Sequence, residues 1–175
     1  MIFPVVFSQG RYSLGCVTKT LNIMAALTLA ACLSQAGAAL AAPEINPTQT
    51  LGFGKFLLLN NNAAHTVSVT PLGVTNYPPA LVSQIPAREG IYELQGFLPD
   101  TDLSITISPP SLSLSCACAT PVFTVDNFEI SPVTPRTNPA GNVTLRLGAR
   151  LHTDGTRALY REGSYSGQIS IIVNN

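Results

Sequence analysis

The sequence predicts an all-β fold, a sandwich or barrel of about eight strands, and three observations lead to that class. Apolar and polar residues alternate with a period of two in several runs, as in strands with one buried and one solvated face. Thirteen of the 14 prolines follow residue 41, where they separate these short runs. No window of helical length after residue 41 keeps a 3.6-residue apolar period.

The clearest strand covers residues 143–151, where Leu145, Leu147 and Leu151 share one face with Val143 and Ala149. The C-terminal run repeats this pattern, and its inward-facing residues are Tyr165, Gly167, Ile169, Ile171 and Val173. The other predicted strands cover residues 51–59, 66–70, 91–97, 103–108, 112–118 and 122–130. Proline cannot donate a hydrogen bond to a strand ladder, so the proline clusters at 78–79, 109–110 and 132–139 indicate loops or sheet edges. The stretches 75–86 and 131–142 are the predicted loops that could bind a ligand.

An export signal precedes the predicted strands. Residues 21–33 (LNIMAALTLAACL) are uncharged, follow Arg11 and Lys19, and lead to a small-residue A-x-A site at residues 39–41. We predict a signal peptide over residues 1–41 and one β-domain over residues 42–175, with no membrane span in the mature chain. A start at Val17 gives a more compact basic region, so we also hypothesise that residues 1–16 are a mis-assigned start.

A second processing route also fits the sequence. Residues 29–32 (LAAC) match the lipobox of bacterial lipoproteins, in which Cys32 would be acylated. On the first route Cys32 is merely a small apolar residue of the signal. The mature protein is therefore expected in the periplasm, on the outer cell surface or outside the cell.

Composition excludes some functions more firmly than it indicates one. The chain is 46% hydrophobic and 10% charged, and the part after residue 41 holds seven basic and nine acidic residues, a net charge of −2. So few basic groups argue against nucleic-acid binding. Residues 163–167 (GSYSG) resemble a hydrolase nucleophile elbow, but Tyr165 replaces the serine. We predict no catalytic, cofactor-binding or metal-binding residues, and no enzymatic activity.

Cys116 and Cys118 are the only cysteines after residue 41. In a regular strand they would share the buried face as small apolar residues. Their Cα atoms would then lie about 6.6 to 6.8 Å apart, at the upper limit for a disulfide, so a bridge between them needs a local bend. An oxidising compartment favours the bridge. The sequence leaves both states open.

Five segments together resemble the bacterial family known as domain of unknown function 4402. They are LGFG at 51–54, TVSVTPLG at 66–73, IYELQG at 91–96, LRLG at 145–148 and the ending GSYSGQISIIV at 163–173. The resemblance covers nearly the whole mature chain, although the family usually ends in an aromatic residue where this chain has Asn174 and Asn175. It implies an exported, immunoglobulin-like β-sandwich related to fimbrial subunits and adhesins, with no known enzymatic activity.

Two functions follow as expectations. The first is a structural pilus-like subunit or adhesin that assembles by β-strand addition, with Ile45, Pro47, Gln49 and Leu51 as the alternating residues of the donated segment. Its partners would be copies of itself or homologous subunits, with a periplasmic chaperone and an outer-membrane usher. The second is a self-complete monomeric module that binds a ligand through its loops, at 75–86 or 131–142.

Overall fold

A computed structural model describes residues 7–8, 42–116 and 123–174. These residues form strands and no helix. The strands are β1 Phe7–Ser8, β2 Glu44–Gln49, β3 Lys55–Leu58, β4 Thr66–Val69, β5 Thr75–Asn76, β6 Leu81–Ile85, β7 Gly90–Gln95, β8 Ser104–Ser108, β9 Leu112–Ser113, β10 Thr124–Ser131, β11 Val143–His152, β12 Gly167–Gln168 and β13 Ser170–Asn174. The predicted all-β class is confirmed. The proposed processing sites at Cys32 and residues 39–41 lie outside the described residues.

The largest sheet has the strand order β2-β7-β11-β10-β9, and β4 and β5 extend it. Every neighbouring pair in it is antiparallel. The order β2-β7-β11-β10 matches the A-B-E-D order of an immunoglobulin-type sheet. β8 and β13 form a separate antiparallel pair, which then corresponds to strands C and F, and β3 pairs with β6. The antiparallel architecture therefore agrees with the implied fold.

The central strand β11 organises the main sheet. One edge pairs with β10, whereas the other pairs with β7 over residues 143–147 and with β4 over residues 149–152. Gly148 stands where the partner changes, and a Cβ there would lie 2.4 Å from the carbonyl oxygen of Val69. Only glycine allows this close backbone approach.

The core confirms the predicted alternation along β11. Leu145, Leu147, Ala149 and Leu151 are at most 2% exposed, whereas Arg150 is exposed. The other large, fully buried side chains of the described residues are spread along the chain: Leu51, Phe53, Phe56, Val67, Leu94, Leu114, Phe123 and Tyr165. One apolar core therefore joins the main sheet to the smaller ones.

The loop prediction for residues 75–86 is wrong in part, because β5 and β6 lie there. Prolines flank β6 but none interrupts it, and only Leu81 of its five residues is buried. An edge strand with so little burial shows no alternating apolar pattern. The stretch 131–142 is irregular after Ser131, as predicted, and Thr137 fixes it because its Oγ1 donates to the Leu98 carbonyl at 2.6 Å.

Candidate assembly and binding surfaces

β2 lies at the edge of the main sheet and, within the described chain, pairs only with β7. Ile45 stands opposite Leu94 and is 7% exposed, and it is the only buried side chain of the strand. Pro47 lacks an amide donor, which an edge strand tolerates. The register shifts between Pro47 and Gln49, as at a β-bulge.

The segment expected to be donated is thus built into its own sheet. Thr48 Oγ1 donates to the Ile91 carbonyl at 3.2 Å, and Gln49 Nε2 donates to the Glu89 carbonyl at 2.8 Å. Leu51 is fully buried in the core. Residues 44–49 therefore form an edge strand of the main sheet, in which Ile45 packs into the core opposite Leu94, and their donation to another copy stays a prediction.

Most of the predicted inward-facing residues of the C-terminal run lie in the core. Tyr165 is fully buried, Ile169 is 5% exposed and Ile171 is 9% exposed, and Val173 packs half-buried against the core. A Cβ at Gly167 would lie 2.2 Å from Leu112 Cδ1, so this glycine admits the leucine.

The two edges of the C-terminal run have different partners. On one edge β13 pairs with β8, and Ser166 exchanges two backbone hydrogen bonds with Ser115 at 2.8 and 2.9 Å. Successive residues of a strand direct their backbone amides to opposite edges, so the amide of Gly167 points to the edge opposite that of Ser166. There β12 pairs in parallel with β1.

Four aromatic rings pack against one another in the core. Phe123 stacks on Tyr160 with ring centroids 4.3 Å apart, and it meets Tyr165 edge-on at 4.8 Å and Phe56 at 5.7 Å. Burial raises the pKa of Tyr160 to about 12 and also raises the pKa of Tyr165. Tyr165 Oη donates to the Arg161 carbonyl at 3.2 Å. Tyr165 therefore has a structural role in the sequence GSYSG.

The buried side-chain amide of Asn61 connects two loops that are far apart in sequence, next to these rings. Asn61 Nδ2 donates to Asp154 Oδ1 at 2.6 Å and to the Ala158 carbonyl at 3.1 Å, while Asn61 Oδ1 accepts the Gly155 amide at 3.1 Å. Burial raises the pKa of Asp154, but hydrogen bonds from Asn61, Thr156 and Tyr160 outweigh it, so the pKa lies below 3.8. The partners of Asn61 lie about 90 positions away in sequence, so no local pattern could indicate them.

Three strands bring together a threonine, a histidine and an aspartate that sequence reasoning did not connect. Thr66 Oγ1 lies 2.9 Å from His152 Nδ1, and His152 Nε2 lies 2.8 Å from Asp126 Oδ1. The residue types match the nucleophile, base and acid of a catalytic triad, but the nitrogens of His152 are exchanged, because in a triad Nε2 contacts the hydroxyl and Nδ1 contacts the carboxylate. These three side chains lie on the solvated face of the sheet, and they line neither described cavity. Their visible role is to join β4, β11 and β10.

The cysteine pair is only partly described. Cys116 is disulfide-bonded, and Cys118 lies outside the described residues, as do the other cysteines of the chain. The pairing of Cys116 with Cys118 therefore stays a prediction. Cys116 packs half-buried against the core that contains Leu114.

Two cavities differ sharply in chemistry. One, of about 350 Å³, lies between β8 and β10 and is lined by Ile105, Ile107, Pro110, Asn127, Phe128 and Ile130. The other, of about 300 Å³, lies on the outer face of the main sheet, and its polar lining comes from Glu93, Gln95, Asn138, Asn142 and Thr144. The second cavity adjoins the end of the loop 131–142, one of the two predicted binding loops.

Within residues 42–116 and 123–174, no three histidine, cysteine, aspartate or glutamate side chains are grouped as metal ligands. The described part of the chain also contains no helix that is long and apolar enough to cross a membrane.

A family model described as domain of unknown function (DUF4402) matches residues 44–175. The match begins at the first residue of β2, so it includes the edge strand. No curated protein and no solved structure matches the chain.

Proposed function

From the premise that the chain belongs to the DUF4402 family, we propose that it is an exported, non-enzymatic subunit of a pilus-like surface assembly, whose copies join by β-strand addition. The donated segment is β2, which leaves β7 of its own copy and pairs with β7 of the next. Each copy then completes the main sheet of its neighbour. Its partners are further copies or homologous subunits, with a periplasmic chaperone and an outer-membrane usher as assembly factors.

The position of β2 is the observation that supports this proposal most. It is the first strand after the predicted cleavage site, it lies at a sheet edge, and it contributes one buried side chain, Ile45. Exchange of an identical element between copies costs little, because the same contacts form again in the partner. A head-to-tail exchange leaves one donor and one acceptor free, so it builds an open chain rather than a closed dimer.

The main described contacts of β2 can be remade between copies. They include the backbone ladder to β7, the packing of Ile45, and the two side-chain hydrogen bonds from Thr48 and Gln49. Every one of them joins β2 to a residue of β7 or to Glu89 immediately before it, or to the core. None requires β2 and β7 to belong to the same chain.

Export is supported by two features. Residues 1–41 have the pattern of a signal peptide. Cys116 is disulfide-bonded, and structural disulfides persist in oxidising compartments such as the periplasm.

The test begins with the mature protein purified from the periplasm and examined by light scattering and by denaturing gels of unboiled and boiled samples. We expect a ladder of multimers that collapses on boiling. A variant lacking residues 42–50 should remain a folded monomer by circular dichroism and give no ladder. If that variant fails to fold, Ile45→Lys replaces it, since a charge at the single buried position weakens the pairing of β2 in either copy. A ladder that persists in both variants would exclude β2 as the donor.

A second candidate function is a self-complete monomeric binding module of the periplasm or outer surface. If the lipoprotein route applies, acylated Cys32 would anchor this module to the membrane. The polar cavity beside the loop 131–142 favours it. A single stable monomer in the same experiment would support this candidate over the first.

A further inference from the structure

The polar cavity is formed by two paired strands and a tight turn. Thr144 of β11 stands opposite Glu93 of β7, and Val143 stands opposite Leu94. Leu94 is fully buried in the core, so its neighbours Glu93 and Gln95 point to the other face of the sheet, where Thr144 is exposed. The turn over residues 138–142 forms the wall. The floor therefore lies on a central part of the sheet rather than on a loop.

Asn138 is held in place by the turn that it closes. Its Oδ1 accepts the backbone amides of Ala140 at 2.9 Å and of Asn142 at 3.0 Å. Both bonds use the oxygen, so the two Nδ2 hydrogens are left in a fixed direction. A donor that is already ordered costs less conformational entropy when a ligand binds.

The other polar groups supply acceptors and further donors. Gln95 Nε2 donates to Glu93 Oε2 at 3.2 Å, which leaves Gln95 Oε1 and Glu93 Oε1 as acceptors. The side chains of Asn142 and Thr144 form no hydrogen bond within the described chain. An amide and a hydroxyl can each donate and accept. The cavity thus presents donors and acceptors close together, with one carboxylate.

This mixture selects among ligand classes. Anionic ligands meet the carboxylate of Glu93 without a basic residue in the lining. A divalent cation would find one carboxylate, and an apolar ligand would contact mainly Val143. A saccharide fits, because each hydroxyl group of a sugar donates and accepts a hydrogen bond and adjacent hydroxyls lie at the spacing of one amide or carboxylate. We propose that this cavity is a saccharide-binding site.

The site does not depend on strand exchange, because β7, β11 and the turn stay within one copy whichever chain supplies β2. Monomeric protein can therefore be tested. The measurement is nuclear magnetic resonance of the labelled mature chain, titrated separately with glucose, galactose, mannose, fucose and N-acetylglucosamine. Concentrations up to about 100 mM detect dissociation constants in the millimolar range, which a shallow site implies.

We expect at least one sugar to shift the resonances of Gln95, Asn138, Asn142 and Thr144 together. Asn142→Ala and Thr144→Ala should each weaken binding of that sugar by about tenfold, the effect of losing one hydrogen bond that leaves its partner unsatisfied. Thr106→Ala on β8 is the matched control, since Thr106 is an exposed strand threonine that does not line the cavity. Its affinity should equal that of the unaltered protein.

Three results would overturn the proposal. The first is no shift at these four residues with any of the five sugars. The second is shifts centred elsewhere on the molecule. The third is equal affinity of the Asn142→Ala, Thr144→Ala and unaltered proteins, with folding of both variants verified by their spectra.

Discussion

The central strand β11 and the edge strand β2 of the main sheet differ in their pairing and in the number of side chains they bury. β11 pairs on both sides, and four of its side chains are at most 2% exposed. β2 pairs with β7 alone in the described chain and buries only Ile45. Both strands belong to the same sheet, yet their removal would have very different consequences.

The difference separates the part of the molecule that holds the fold from the part available for assembly. Buried apolar area stabilises the folded state by roughly 25 cal/mol per Å², so the four buried apolar side chains of β11 contribute more stability than the single buried side chain of β2. An edge strand with a single anchor adds less and can open without global unfolding. Such an opening would release β2 for the proposed exchange while the other strands of the main sheet stay paired.

The largest expected effect is a cavity at the centre of the sheet. Leu147→Ala removes a fully buried side chain and should lower the free energy of unfolding by about 2–5 kcal/mol. Ile45→Ala in β2 should cost less, because an edge strand can shift to fill the space. Urea denaturation of both variants measures the difference. Equal losses of unfolding free energy in the two variants would contradict the expected difference between β11 and β2.

The loop connection through Asn61 comes next. Asn61→Ala removes three hydrogen bonds and leaves the Gly155 amide and the Ala158 carbonyl without this partner, so a loss of about 1–3 kcal/mol is expected. Asn62→Ala is the matched control, since Asn62 is the next residue in the chain and its side chain is exposed. Urea denaturation should show a loss for Asn61→Ala alone, and equal stability of the two variants would show that the connection contributes nothing.

A smaller effect is expected at alkaline pH. Burial raises the pKa of Tyr160 from 10.0 to about 12, so the folded state keeps a proton that the unfolded state loses. Stability should therefore decrease as pH rises from 10 towards 12. Tyr160→Phe should make this decrease shallower, although Tyr92 and Tyr165 also have raised pKa values. An unchanged slope in the variant, measured by urea denaturation at each pH, would contradict the assignment.

The smallest effect is expected at acid pH. The pKa of Asp154 is lowered below 3.8, so its ionised form stabilises the folded state above that pH, and this contribution is lost as pH falls through the folded-state pKa. Asn61→Ala removes one of the hydrogen bonds responsible and should flatten the dependence. The same slope in both proteins between about pH 4 and pH 2, measured by urea denaturation, would rule out Asn61 as a cause.

Local pattern was enough to predict the strands that bury one face. The predicted strand 143–151 corresponds to β11 at Val143–His152, because strict alternation reflects one buried and one wet face. β2 alternates only weakly and β6 shows no such alternation, since each buries one residue at a sheet edge. Edge strands are fixed by their neighbours rather than by their own sequence.

The polar connections could not be predicted, because they join residues far apart in the chain. Asn61 reaches Asp154, and His152 reaches Thr66 and Asp126, only after the sheet register is set. The signal that could have found the histidine contacts is the parity of the strands: pairing 66–69 against 149–152 places Thr66 opposite His152. The polar cavity likewise depends on the register of β7 against β11.

Disulfide trapping tests the exchange of β2 most directly. Asn46 and Thr144 stand opposite Glu93 on its two sides, so Glu93→Cys can be combined with Asn46→Cys to trap β2 or with Thr144→Cys as a matched control inside the sheet. Exchange predicts that oxidation of the Asn46→Cys/Glu93→Cys protein gives covalent multimers on boiled non-reducing gels, in which position 46 of one chain is bridged to position 93 of another. The control should give internally bridged monomers. Internally bridged monomers from both proteins, in samples that scatter light as multimers, would contradict the account.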